Sequence, residues 1–153
     1  MPPATKILCL GNSLLADDGL GPAVAEQLRR LKLPDVEVID TAESGFYLLD
    51  SVLNCKRLIV VDAITTRRVP PGTIHCLGEA EARGSPGGSP HYVGMFEVLE
   101  TARQLRMAVP NDVQVLAVEV DDLLTIGGAM TPHVRDAVPH VVARIRDLLA
   151  VLV

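Results

Sequence analysis

Leu58-Ile59-Val60-Val61 is the stretch that most narrows what this chain can become. Lying at the centre of residues 57–63, it is apolar without alternation, the pattern of a strand buried on both faces. Such a strand needs a covering layer on each side, and parallel strands obtain that cover from the helices that cross between them. The remaining sequence supplies both kinds of element. Residues 6–10 and 36–40 read as strands, and between them Leu20, Ala23, Val24, Leu28 and Leu31 recur at the spacing of an amphipathic helix. Residues 46–53 form the next helical segment. After Asp62 the run T-T-R-R-V-P-P-G is too short for a helical crossover, so the strand at 73–77 is predicted antiparallel to its neighbours. Residues 79–90, rich in Gly, Ser and Pro, read as the one long irregular segment. A helix at 91–105, a strand at 113–120 and a helix at 132–153 complete the pattern. This order predicts a single α/β domain over residues 1–153: a three-layer α/β/α sandwich around a mostly parallel five-stranded sheet with one antiparallel strand. A chain of 153 residues with 48% hydrophobic content is long enough for one such core and too short for two.

The chemistry concentrates between Gly11 and Gly21, where G-N-S-L-L-A-D-D-G-L-G follows the first strand directly. A phosphate-binding turn would need glycines at G-x-G-x-x-G or G-x-x-x-x-G-K spacing and amides unopposed by fixed negative charge. This loop has neither spacing and carries two acids, so it repels phosphate and attracts a cation. Asp17 or Asp18 stands where a helix N-cap is expected. Only one of two adjacent acids can cap, which leaves the other to face a ligand.

Ligands of open α/β sheets bind beyond the carboxyl ends of the parallel strands. Asp17 and Asp18 follow the first strand and Asp62 ends the third, on that rim. The helix opened by His91 leads into a parallel strand, so it too starts at the carboxyl-end rim. Asp18, Asp62 and His91 thereby surround one crevice, and two carboxylates with an imidazole form a mixed oxygen and nitrogen set suited to a divalent transition ion. The same residues are equally compatible with two helix caps and a polar surface histidine. His75, His133 and His140 read as structural or surface residues.

Other classes are excluded by composition. A net charge of −5 disfavours nucleic acid and anionic membrane surfaces, and Arg67-Arg68 is too short a basic run to reverse that. Cys9, Cys55 and Cys76 lack C-x-x-C spacing and read as small core side chains rather than a disulfide framework or a thiolate metal site. No run approaches the ~20 apolar residues of a membrane span and no signal peptide precedes Ile7, so the expectation is a cytoplasmic protein.

Four segments taken together resemble the [NiFe]-hydrogenase maturation endopeptidases: G-N-S-L-L-A-D-D-G-L-G, V-V-D-A-I near residue 60, S-P-H-Y-V-G near residue 90, and A-V-E-V-D-D-L-L-T-I-G-G-A-M-T-P near the end. The resemblance covers nearly the whole chain. It implies a cytoplasmic peptidase, grouped with the aspartic-type enzymes, that removes a C-terminal extension from the precursor of a [NiFe]-hydrogenase large subunit after nickel insertion. The family's metal-contacting residues fall on Asp18, Asp62 and His91, with Asp18 and Asp62 as catalytic carboxylates. Nickel is then contributed by the substrate, and no permanently bound metal is expected. Asn12, Asp17 and Glu43 become candidate substrate contacts. Glu43 lies in D-T-A-E-S-G, where the family commonly has a D-G-G-T-x-G type segment; Cys9 replaces a usual glycine, and Glu119 a usually neutral residue. Water activation by a carboxylate and carbonyl polarisation by the ion both remain open. Two other classes stay in play: a non-enzymatic nickel-handling or metal-sensing protein using the same three residues, and a flavodoxin-like binding module whose carboxylates only cap helices.

Overall fold

In the computed structural model, residues 2–83 and 90–151 are described, without side chains at 90–93. Strand β1 (Thr5–Leu10) leads through a 3-10 turn (Ala16–Gly19) into α1 (Leu20–Arg30). Strand β2 (Val36–Thr41) is followed by a second 3-10 turn (Gly45–Leu48), the single-turn helix α2 (Leu49–Val52) and β3 (Arg57–Ile64). Strand β4 (Ile74–Gly78), α3 (Glu79–Arg83), α4 (Pro90–Gln104), β5 (Asp112–Glu119) and α5 (Pro132–Leu149) complete the chain. The sheet order is β2-β1-β3-β5-β4, parallel throughout except for β4, which runs antiparallel to β5. The short proline-broken connection before β4 enforces that reversal.

Every residue of β3 is buried, because the alternation of its side chains feeds two cores. Ile59, Val61 and Ala63 join Ile7 and Cys9 of β1 and Leu116 and Val118 of β5 beneath α1 and α5. Leu58, Val60 and Ile64 join Leu8, Leu10, Val115 and Ala117 beneath α2, α3 and α4. Helix α5 presents Val134, Ala137, Val138, Val141, Val142 and Ile145 to the first core, the face foreseen from its valine spacing. This is the expected three-layer arrangement.

The fold departs from the sequence reading at four places. First, the buried face of α1 is Leu20, Gly21, Val24, Ala25 and Leu28, whereas Leu31 is 41% exposed. Gly21 sits so close to β1 that a Cβ there would collide with the Leu10 carbonyl oxygen. A glycine that matters through its missing side chain leaves no mark in hydrophobic periodicity. Second, the helix foreseen at 46–53 is split into a 3-10 turn and a single α-turn. Third, the segment foreseen as irregular from residue 79 begins with α3, and residues 84–89 lie outside those described. The E-A-E-A-R sequence favours helix, and ion pairs hold it to α4: Arg103 grips both Glu79 carboxylate oxygens at 2.5 and 2.9 Å, while Arg83 reaches Glu79 and Glu100 and lies 5.3 Å from the centre of the Phe96 ring. Fourth, Cys76 is exposed rather than core, because β4 is an edge strand; Cys55 is half-buried, and Cys9 is buried. Burial, reinforced by Asp40, pushes the Cys9 thiol up to about 12.

No helix among the described residues is long and apolar enough to cross a membrane.

Two outcomes follow from this packing. Gly21→Ala forces α1 away from β1 and lowers stability by about 1–3 kcal/mol in urea unfolding. Iodoacetamide at pH 8, followed by peptide mass mapping, labels Cys76 first and Cys9 only once the protein is unfolded, since Cys9 is both inaccessible and protonated.

Candidate functional site

A topological switch point lies between β1 and β3. The chain leaves β1 towards β2 on one side and leaves β3 towards β5 on the other. In open α/β sheets the loops that follow two such strands diverge, and ligands bind at that carboxyl-end rim. Asp18 lies in the turn that follows β1, and Asp62 lies within the last part of β3.

Asp62 lies within β3 rather than at its end, since the strand continues to Ile64. It follows Val61, the register partner of Cys9, and shares the α4-facing side of the sheet with Val60 and Ile64. The residue is fully buried, and its Oδ1 accepts the Ala63 amide at 2.9 Å. Asp18 reaches the same rim through the loop after β1. Gly11, with φ +146°, lets the chain fold back so tightly that a Cβ there would meet the Asp18 carbonyl oxygen. The Asn12 amide then donates to Asp18 Oδ2 at 2.9 Å. Asn12 also braces the loop with its side chain, whose Oδ1 accepts the Leu14 amide at 2.9 Å. Asp18 is 8% exposed, so its carboxylate is held almost out of solvent.

His91 falls in the first turn of α4, and its side chain lies outside those described. The start of α4 stands at the same rim: it packs on the 3-10 turn after β2, where a Cβ on Gly94 would contact Gly45 N and Cα at 3.5 and 3.6 Å. Glu43 occupies the exposed loop after β2, its amide donating to Thr41 Oγ1 at 3.1 Å. No group of three His, Cys, Asp or Glu side chains able to hold a metal occurs among the described residues.

Two other buried acids have structural employment. Asp17, fully buried, accepts the Asp121 and Asp122 amides on Oδ2 at 3.0 and 2.8 Å, and the Thr131 amide on Oδ1 at 2.7 Å. The Thr131 hydroxyl donates to both oxygens at 3.0 and 2.9 Å. Its own amide donates to the Asp122 carbonyl at 2.8 Å. The carboxylate of Asp17 therefore ties the loop after β1 to the loop after β5 and to the start of α5. Neither Asp17 nor Asp18 caps a helix through its side chain: the N-cap positions are Leu15 for the 3-10 turn and Gly19 for α1. Glu119, 1% exposed, plays a matching part under the loop after β3, accepting the Thr66 amide at 2.8 Å, the Thr66 hydroxyl at 2.5 Å and the Arg67 amide at 3.2 Å. Sequence reasoning left both roles open. An acid closing a buried strand beside a Thr-rich loop was the available signal for Glu119; for Asp17 it was the adjacency of two acids.

Asp122 shapes the loop after β5. Its carboxylate accepts the Leu124 and Thr125 amides at 2.9 and 3.0 Å and the Thr125 hydroxyl at 2.5 Å. These bonds, the hydroxyl's foremost, hold its carboxyl below the usual range. His75 is half-buried in β4, and His133 and His140 are exposed on α5, all outside the crevice. A cavity of about 500 Å³ lies at the opposite, amino-end rim, between Pro3, Asp35, Asn54 and Lys56. It is remote from these acids.

A switch point between β1 and β3, with Asp18 in the loop after β1 and Asp62 buried within β3 of a five-stranded α/β/α sheet, defines the class of fold and site. A family model for hydrogenase maturation proteases matches residues 22–148, and the chain belongs to that family, peptidases that act in hydrogenase maturation. Among curated relatives it is 34% identical to the hydrogenase expression/formation protein HupD of Bradyrhizobium diazoefficiens over 137 residues, covering 86% of this chain and 70% of that protein. It is 29% identical to HupD of Thiocapsa roseopersicina over 153 residues, covering 97% and 68%. Among solved structures it superposes on the hydrogenase maturating endopeptidase HybD of Escherichia coli with a TM-score of 0.82 at 27% identity, covering 95% of this chain and 91% of that one.

The two acids are separable by stability. Asp17→Ala strands several buried donors at once and lowers stability by about 3 kcal/mol or more in urea unfolding, at about 1–3 kcal/mol per unsatisfied group. Glu43→Ala, on an exposed loop, stays within about 0.5 kcal/mol of the parent.

Proposed function

We propose that this protein removes a C-terminal extension from the precursor of a [NiFe]-hydrogenase large subunit after nickel insertion, with Asp18 and Asp62 as its catalytic carboxylates. The observation that carries this reading is the placement of Asp18 and Asp62 on the two sides of the switch point, Asp18 accepting the Asn12 amide and Asp62 the Ala63 amide. Family membership supports the reaction class.

Nickel enters as part of the substrate. Carboxylate and imidazole donors suit such a borderline ion, and the substrate's own thiolates supply the softer ligands. Asp18, Asp62 and His91 then bind the loaded precursor through its metal and bring the scissile segment to the crevice at high effective concentration. Unloaded precursor lacks that anchor, so cleavage follows metal insertion. One of the two carboxylates takes the proton of the attacking water. That division of labour supports an aspartic-type peptidase. Asn12 and Glu43 line the approach, Asn12 in the loop that carries Asp18 and Glu43 on the neighbouring rim; Asp17 acts beneath them, as the support of the loop. The free cysteines fit a reducing compartment, and we place the reaction in the cytoplasm.

The test is intact-mass spectrometry of nickel-loaded and nickel-free precursor after incubation with this protein. Wild-type protein releases a discrete C-terminal peptide from the loaded form alone, and Asp18→Asn and Asp62→Asn each slow release about 10²–10⁴-fold while remaining folded. An unchanged mass in every sample, with nickel content verified, overturns the peptidase reading in favour of a nickel-handling protein.

A further inference from the structure

Asn12 follows the end of β1 by two residues, and almost every polar group it owns is already bonded. Its backbone N–H donates to Asp18 Oδ2 at 2.9 Å, and its C=O accepts the Leu15 amide at 3.0 Å. The side-chain Oδ1 accepts the Leu14 amide at 2.9 Å. That last bond fixes the orientation of the side-chain amide, because only its oxygen can meet an N–H donor. Nδ2 is thereby held on the other branch, and its two N–H donors meet no acceptor among the described residues. The residue is half-buried, so these donors are neither sealed in the core nor spread into bulk water. A turn of this kind needs only an acceptor oxygen, which aspartate or serine supplies as well. The amino group of Asn12 is surplus to the turn.

Its position gives the spare donors a use. In peptide hydrolysis a water oxygen bonds to the scissile carbonyl carbon, one of the two carboxylates takes the water's proton, and the carbonyl π electrons move onto the carbonyl oxygen. That oxygen becomes negative beside Asp18, a carboxylate that opposes the new charge. A donor fixed in advance and met by this oxygen is usually the largest electrostatic contribution to such a step. The intermediate then collapses: the carbonyl re-forms, the C–N bond breaks, and the carboxyl group returns its proton to the leaving amine. We propose that Asn12 Nδ2 donates a hydrogen bond to the scissile carbonyl oxygen and to the oxyanion formed from it, as a catalytic residue of the same site. This rests on the peptidase reading and supplies the charge stabilisation that two carboxylates cannot. The backbone bond from Asn12 to Asp18 keeps the donor within one side chain's length of that carboxylate.

The experiment measures kcat and KM for peptide release from nickel-loaded large-subunit precursor by wild-type protein, Asn12→Ser and Asn12→Asp, with urea unfolding as the fold control. Both variants keep an oxygen for the Leu14 amide and both lose Nδ2; the serine adds no charge, and the aspartate keeps the reach of the side chain. The expected result is a kcat lowered about 10²–10³-fold in each, with KM within about threefold of wild type and the unfolding midpoint retained. A kcat near wild type in either variant overturns the proposal and leaves the peptidase reading standing, since the turn, the added charge or the substrate's ion then accounts for the rate. A raised KM with kcat unchanged overturns it as well, by making Asn12 a contact to bound substrate only. An unfolding midpoint that falls together with kcat in both variants assigns the loss to the turn and also overturns it. If wild-type protein leaves the loaded precursor intact, the peptidase reading itself fails and the role of Asn12 falls with it.

Discussion

The carboxylate of Asp17 is the point on which the arrangement of the site depends. Burying a charged group is unfavourable unless hydrogen bonds replace its lost hydration. Here three backbone amides and one hydroxyl do so, drawn from a loop and a helix start more than a hundred residues away in sequence. Charge-assisted bonds of this kind are stronger and shorter than neutral ones, and because they converge on one group they fail together or hold together. The result is that the loop bearing Asp18, the loop bearing Leu124 and the amino terminus of α5 have a common reference point. Glu119 does the same on a smaller scale for the loop after β3. Two buried acids thus hold the loops of this rim in place.

Much of the fold could be read directly from residue pattern, because it is written in hydrophobic spacing. The uniform burial of β3, the valine face of α5 and the reversal at β4 all follow from local runs of residues and connection length. What escaped was information carried by absence or by distance. Gly21 acts through a Cβ it does not have, and Cys76 is exposed because of where β4 lies in the sheet rather than because of its neighbours in sequence. The site divides along the same line. That Asp18 and Asp62 lie towards the same rim follows from topology, since one succeeds β1 and the other stands near the carboxyl end of the parallel strand β3. That Asp17 points inward could not be foreseen, because its partners at Asp121, Asp122 and Thr131 are distant in sequence and donate mostly through backbone amides, which carry no residue signature.

Adjacent acids with different partners show how a single peptide step redirects a side chain. At Ala16 the backbone takes φ +36°, an unfavourable value for a residue with a Cβ. The tight 3-10 turn that follows sends the Asp17 side chain into the protein and leaves Asp18 over the Gly11-Asn12 turn. Local strain is compensated by the buried hydrogen bonds of the next residue.

The ion pairs between α3 and α4 bear on how relatives of this chain can diverge. Glu79 and Arg103, with Arg83 and Glu100, join the two helices independently of the residues that connect them. The connection between Arg83 and Pro90 therefore starts and ends on elements already fastened together. Changing the length of such a connection alters closure entropy only logarithmically, by about 0.6 kcal/mol for each doubling. Insertions and deletions in the sequence leading into the first turn of α4 are therefore expected to cost the fold little stability.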